Sequence, residues 1–213
     1  MSRPRVLLAD DHRIVTEGLK SLLDEEFDVV GVVEDGFAMV AAALRLMPDV
    51  IVADISMPRL NGLDGLARLK AEAPRVKVVF LTMHANPAYA RRALEAGASG
   101  FVVKHSAATE LGLAIRAALK DQTFLTPTLA AEVLRTARRG PRDCMNPLGQ
   151  ITPRQREILQ LLAEGKSAKH IAETLVISPR TVEYHKYQMM ESHGLHSTTE
   201  LVQFALKNGI VTI

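Results

Sequence analysis

Through residues 1–122, short apolar runs alternate with longer stretches in which apolar positions recur every three or four residues. The short runs are 5–9, 28–33, 50–54, 76–81 and 100–103. They are rich in valine and almost continuously apolar, as strands covered on both faces are. The longer stretches, 13–23, 38–47, 63–71, 87–96 and 107–119, carry the helical period. Five strand–helix units in succession predict a five-stranded parallel sheet with helices packed on both faces.

The pattern then breaks. Arg138-Arg139-Gly140-Pro141-Arg142-Asp143 and Asn146-Pro147-Leu148-Gly149 are dense in the residues that interrupt regular structure. They predict a linker over 123–147 between a first domain, 1–122, and a second, 148–213. The second shows only the helical period. Thr152 is placed as an N-cap, with Pro153 at the first helical position and Gln155 where a capping box needs an amide. Ile158, Leu159, Leu161 and Leu162 supply a buried face, and Gly165 ends that helix. Further helices are predicted over 168–175, from Pro179 behind a Ser178 cap to about Glu191, and over 198–206. Four helices, the middle pair joined by a short turn, suggest a helix-turn-helix unit.

Composition narrows the possibilities. Apolar residues make up 47% and charged residues 23% of the 213 residues, which excludes a disordered or collagen-like chain. No run approaches the roughly 18 apolar residues of a membrane span. The apolar stretch Val6–Ala9 ends in an acidic pair and does not resemble a signal peptide, so a soluble, cytoplasmic protein with no membrane partner is expected. A single cysteine, Cys144, cannot form an internal disulfide and fits a reducing compartment as a spectator thiol. The net charge is +2, and the surplus lies late in the chain: 15 basic and 16 acidic residues run through Leu125, 11 and 8 follow it.

Functional groups in such a sheet gather at the carboxyl ends of the strands. Those ends carry Asp10-Asp11, Asp54, Thr82 and Lys104. Three converging carboxylates invite a hard divalent cation, and Mg2+ suits a site of a few carboxylates plus water and phosphate oxygens. A carboxylate flanked by Mg2+, an ammonium and a hydroxyl can accept a phosphoryl group as an acyl phosphate. Asp54, alone at the end of the central strand, is the nucleophile this arrangement favours. Asp11 and Asp54 would bind the metal directly, Asp10 partly through water, and the Ser56 carbonyl would add a further ligand. Taken singly, Asp10-Asp11 could cap a helix, Asp54 and Thr82 could end strands, and Lys104 could be a solvated charge; their coincidence at successive strand ends argues for a site.

Leu8-Ala9-Asp10-Asp11-His12, Ala53-Asp54-Ile55-Ser56-Met57-Pro58, Asn61-Gly62, Leu81-Thr82, Gly97-Ala98, Gly100-Phe101 and Lys104 resemble the receiver domain of bacterial response regulators, a flavodoxin-like α/β fold. The resemblance implies that Asp54 takes phosphate from a sensor histidine kinase. It also implies that Thr82 and Phe101 form the switch, the hydroxyl moving to the phosphate and the ring turning inward to bias the face of the fourth helix, fifth strand and fifth helix. Phe101 also reads as an ordinary core residue. Two departures stand out. His105 replaces the proline usual after the lysine, where a cis bond would cost about 3 kcal/mol. His84 stands at a position that tunes acyl phosphate hydrolysis in the family, and also reads as an exposed histidine.

Residues 148–213 resemble the LuxR-type helix-turn-helix domain through Ile151-Thr152-Pro153-Arg154, Glu157-Ile158-Leu159, Gly165-Lys166-Ser167, Ile171-Ala172, Ile177-Ser178, Thr181-Val182, His185 and Leu201-Val202. With the receiver, this points to NarL-type response regulators: transcription factors, not enzymes, that bind double-stranded DNA and form homodimers when phosphorylated. In the helix from Pro179, Val182, His185 and Met189 share an inward face. Arg180, Glu183, Tyr184 and Tyr187 face a major groove, and Thr181 stands at the helix start. Lys166, Lys169 and Lys186 are candidate phosphate contacts. Glu183 and Tyr187 occupy positions where a basic or amide side chain is common, and Val176 replaces a common turn glycine. Seven basic against six acidic residues in 148–213 is a thin margin for electrostatic DNA binding. Leu201, Val202, Phe204 and Ala205 offer either a dimer contact or packing within their own domain. Two rivals remain at this level: a phosphorylation-switched adaptor whose helix-turn-helix binds protein, and an aspartyl phosphatase, which would need a second Asp where Ser56 stands.

Overall fold

The computed structural model describes residues 3–83, 87–138 and 151–208. The chain divides into two compact units near Asp143. The first contains β1 (Arg5–Ala9), α1 (Arg13–Leu23), β2 (Asp28–Val33), α2 (Gly36–Leu46), β3 (Val50–Ala53), α3 (Gly62–Glu72), β4 (Lys77–Thr82), α4 (Pro87–Glu95), β5 (Gly100–Val103) and α5 (Ala107–Leu119). Two further elements follow, β6 (Phe124–Leu125) and α6 (Pro127–Arg138). All strands pair in parallel, in the order β2-β1-β3-β4-β5-β6.

Alternation along the strands sorts the core into two layers. Leu7, Ala9, Ile51, Ala53, Phe80 and Phe101 point to one face, where they cluster with Met39 of α2, Leu66 and Leu69 of α3, Ala90 and Ala93 of α4, and Leu129 of α6. Val6, Leu8, Val50, Val52, Val79, Leu81 and Val102 point to the other, against Leu19 and Leu23 of α1 and Leu111, Ala114, Ile115 and Ala118 of α5. Burial on both faces explains why these strands lack an apolar–polar alternation.

The segment 123–147, expected as a linker, is structured over much of its length. Phe124 and Leu125 pair with Gly100 and Phe101, adding a sixth strand to the expected five. Leu129 is fully buried in the first unit's core, and α6 packs against α4. A two-residue strand leaves almost no periodic signal, and the α6 pattern lay beside the arginine- and glycine-rich run that marked the boundary. Cys144, Arg139 and Arg142 lie outside the described residues.

The second unit is helical: α7 (Pro153–Ala163), α8 (Ala168–Leu175), α9 (Pro179–Ser192) and α10 (Thr198–Lys207). Thr152 and Gln155 form the expected capping box, and the Ser167, Ser178 and Ser197 side chains cap α8, α9 and α10. Ile158, Leu159, Ile171, Val182, Met189, Leu201 and Ala205 are buried. Leu201 and Ala205 thus pack within their own unit, because α10 lies against α7 and α9. Arg154 also serves the fold, donating to Glu157 and to the Leu175 carbonyl at the end of α8. Among the described residues, no helix is long and apolar enough to cross a membrane.

The turn between α8 and α9 keeps a left-handed residue although glycine is absent. Val176 caps α8 at φ 54° and ψ 51° with its side chain 90% exposed. A β-branched side chain in this region crowds its own backbone and gains no packing in return. Val176→Gly is expected to stabilise the helical unit by about 1 kcal/mol. Calorimetry of the full chain checks this as a higher thermal midpoint for that unit; an unchanged or lower midpoint contradicts it.

Candidate functional site

The order of the sheet reverses between β1 and β3, and the crevice beyond the carboxyl ends of these strands is where a doubly wound fold collects its ligands. The pairing continues one residue past each strand. The Asp10 amide donates to the Val33 carbonyl (3.0 Å), and the Asp54 amide donates to the Ala9 carbonyl (2.8 Å). Both carboxylates therefore stand on anchored backbone. The loop behind Asp54 folds back closely. Gly62 donates to the Ile55 carbonyl, and a Cβ on Gly62 would fall 2.3 Å from the Asp54 carbonyl oxygen, so this position admits only glycine.

Lys104 comes from the end of β5. Its Nζ lies 2.6 Å from Asp10 Oδ2 and 2.7 Å from Asp54 Oδ2, and all three side chains are less than a tenth exposed. Burial raises the Asp54 carboxyl above its ordinary pKa of 3.8, and the charge of Asp10 adds to this; the hydrogen bond and charge of Lys104 and the Ser56 amide work against it. Burial alone would lower Lys104, but its hydrogen bonds to Asp10 and Asp54 and their charges prevail, holding the ammonium above 10.5. Asp11 is partly exposed at the mouth of the pocket. One ligand atom each from Asp10, Asp11, His12 and Asp54 falls within a span of 4.8 Å. Oxygen donors with one open, solvated side fit a hard divalent cation that keeps part of its water shell.

Thr82 is buried at the end of β4, in register with Val103. Phe101 is fully buried, paired with Phe80 on one side and Leu125 on the other. Its ring already has the inward position expected of a switched aromatic. The Lys104–His105 peptide is trans, and Lys104–Ser106 form a single 3-10 turn. His84 lies outside the described residues. The structure thus brings together Asp10, Asp11, Asp54 and Lys104, with Thr82 at the neighbouring strand end.

Two participants escaped the pattern of the sequence. His12 caps the start of α1 and turns its ring onto the acids, Nδ1 lying 3.2 Å from Asp10 Oδ1 and 3.0 Å from Asp11 Oδ1. Its adjacency to the acidic pair was the only available signal. Thr126 gave none. Its buried hydroxyl accepts from the Val103 amide (3.2 Å) and donates to Glu110 Oε2 (2.6 Å), and its amide donates to the Phe101 carbonyl (3.1 Å). It thereby ties the chain after β6 to the strand end that carries Lys104.

On α9, Val182 and Met189 are buried and the His185 Nδ1 is enclosed, as the inward face requires. Arg180, Tyr184 and Tyr187 are exposed, and Thr181 and Glu183 are half-buried. Lys166 and Lys169 are exposed near the start of α8. Lys186 is not free: its Nζ lies 2.5 Å from Glu183 Oε2 and 5.2 Å from the centre of the Tyr187 ring.

Because Asp54 titrates above 3.8 in the folded chain, the folded state retains a proton that the unfolded chain loses first. Stability from this site falls as pH rises across that interval and stays reduced above it. Asp54→Asn removes the ionisation. Its stability relative to wild type is expected to be greater at about pH 7 than at about pH 4 in denaturant titrations. A gain that is constant with pH, or larger in acid, contradicts the account.

Comparison with known proteins agrees with this geometry in both units. The response regulator receiver domain family matches residues 6–116, and the family of bacterial regulatory proteins described as luxR matches residues 149–205. Oxygen regulatory protein NreC of Staphylococcus aureus (strain JH9) is 33% identical over 97% of this chain and 99% of its own length. A solved structure of the RcsB response regulator of Salmonella typhimurium is 28% identical, with a TM-score of 0.66 over all of both chains. A structure of two RcsB dimers bound to two parallel DNAs is 27% identical, with a TM-score of 0.61 over 99% of this chain and 100% of that one. With a receiver pocket ahead of a LuxR-type helix-turn-helix unit, and a full-length match to such proteins, this chain belongs to the LuxR-type two-component response regulators.

Proposed function

We propose that Asp54 accepts a phosphoryl group from a phosphohistidine of a sensor histidine kinase, and that this event regulates transcription through DNA binding by the helical unit. The observation that carries the reading is the joint hold of Lys104 on Asp10 and Asp54 in a buried pocket at the switch point of the sheet. That arrangement keeps the acceptor oxygen in place and sets a cation beside it. Mg2+ fits the donor set: Asp11 and Asp54 would hold it directly, Asp10 partly through water, and the Ser56 carbonyl would complete the protein ligands. When bound, it supplies positive charge that offsets the charge of the phosphoryl oxygens.

In the transfer, an Asp54 carboxylate oxygen forms a bond to phosphorus as the bond from phosphorus to the histidine nitrogen breaks. The departing imidazole keeps the bonding pair and takes up a proton from solvent. Lys104 pairs with the new phosphoryl oxygens, releasing its hold on Asp54, and the Thr82 hydroxyl donates to another. Phe101, already buried and facing inward beside Phe80, would hold the switched arrangement rather than turn into it. The chain serves as a phosphoacceptor rather than a turnover enzyme, and it works in the cytoplasm, where the kinase and the genome are both accessible.

For DNA, α9 enters the major groove with Arg180, Thr181, Glu183, Tyr184 and Tyr187 near base edges, while Lys166 and Lys169 lie near phosphates. Basic residues barely outnumber acidic ones in this unit, so one copy binds weakly. A homodimer holding two half-sites gains through effective concentration. The RcsB dimers on DNA support this reading for a relative of the same length.

Selection of genomic fragments by the purified protein tests it. Fragments with a two-fold-symmetric site are expected to be enriched, about ten-fold more strongly with Mg2+ and beryllium fluoride, a phosphate mimic. Asp54→Ala should abolish that gain while leaving basal enrichment. No symmetric site in either state, or an equal gain in Asp54→Ala, overturns the proposal.

A further inference from the structure

The candidate DNA-facing cations Lys166, Lys169, Arg180 and Lys186 divide into two groups. Lys166, Lys169 and Arg180 are exposed and have no ion-pair partner among the described residues. Lys186, on the same helix as Arg180, folds back along α9 onto Glu183, three residues earlier, at 2.5 Å. The Lys186 side chain is only 16% exposed and that of Glu183 38%. Its ammonium also lies 5.2 Å from the centre of the Tyr187 ring.

An ammonium committed to a carboxylate is not available to a phosphate. Binding to arbitrary DNA comes almost entirely from phosphate neutralisation, whereas binding to a preferred site adds base contacts. Withholding one cation from the groove-facing helix therefore lowers the phosphate contribution that both kinds of binding share. From this geometry we infer that Glu183 sets how strongly α9 engages DNA phosphates: by holding Lys186 in an internal ion pair, it weakens the salt-dependent part of DNA binding. The inference rests on the reading that α9 enters DNA.

The salt dependence of binding to a mixed-sequence duplex separates the cases. Wild type, Glu183→Gln, Lys186→Gln and the double variant are compared as full chains by fluorescence anisotropy between 50 and 200 mM salt, about the range over which phosphate contacts are read. Glu183→Gln is expected to steepen the dependence by about 0.9 in logarithmic slope for each bound α9. That corresponds to about three- to four-fold more affinity lost across the range than in wild type. Adding Lys186→Gln to Glu183→Gln should return the slope to the wild-type value, and Lys186→Gln alone should change it by less than about 0.3. A fall of about 0.9 for Lys186→Gln alone, or an unchanged slope in Glu183→Gln, overturns the inference. Failure of every protein to bind the duplex at the lowest salt, with or without the phosphate mimic, would instead overturn the DNA-binding reading beneath it.

Discussion

Three carboxylates at the mouth of one sheet repel each other, and two of them, Asp10 and Asp54, are almost fully removed from water. A buried carboxylate is tolerated only with a partner, and here a single ammonium serves both. The Lys104 bridge offsets the repulsion between the acids, and it also makes the pocket responsive. Any cation or phosphoryl group that enters must rearrange the same contacts, so the ligand chemistry and the local electrostatics are one problem. Burial of Asp54 and the pull of Lys104 act in opposite directions on that carboxyl, with burial the larger.

The sheet makes this possible by covering both faces of β1 and β3 with apolar helices, leaving only the strand ends open to polar groups. The position of Lys104 depends in turn on what lies beside β5. Thr126 bonds both to the Val103 amide and to Glu110, and Leu125 pairs with Phe101. The strand that carries the pocket's cation and the buried Phe101 is thus the strand onto which β6 and α6 are built. A change at Phe101 or Lys104 meets the chain leading to the helical unit within a few residues.

Much of this was legible from the sequence because its signals are local and periodic. Valine-rich strands, helical periods, the Thr152-Gln155 capping box and the Ser178-Pro179 start depend on near neighbours, and they appear close to where expected. The acidic residues and Lys104 were legible because topology alone brings strand ends together. What was not legible depends on contacts between distant residues. A two-residue β6 has no period, and α6 is fixed by Leu129 entering a core built from other elements. The turn of His12 over the acids and the Thr126 bridge are side-chain choices that no spacing encodes. Lys186 was legible as a cation but not as a paired one, since nothing in the i, i+3 spacing distinguishes an ion pair from two solvated charges.

The central claim is that the Asp54 carboxylate, held by Lys104, is the phosphoacceptor. Intact-protein mass spectrometry after incubation with acetyl phosphate and Mg2+ tests it without a partner kinase. The account predicts the mass of a single phosphoryl group on the wild-type chain, lost on treatment with hydroxylamine as an acyl phosphate must be, and absent from Asp54→Asn. No mass gain in wild type, or a gain of the same lability in Asp54→Asn, would contradict it.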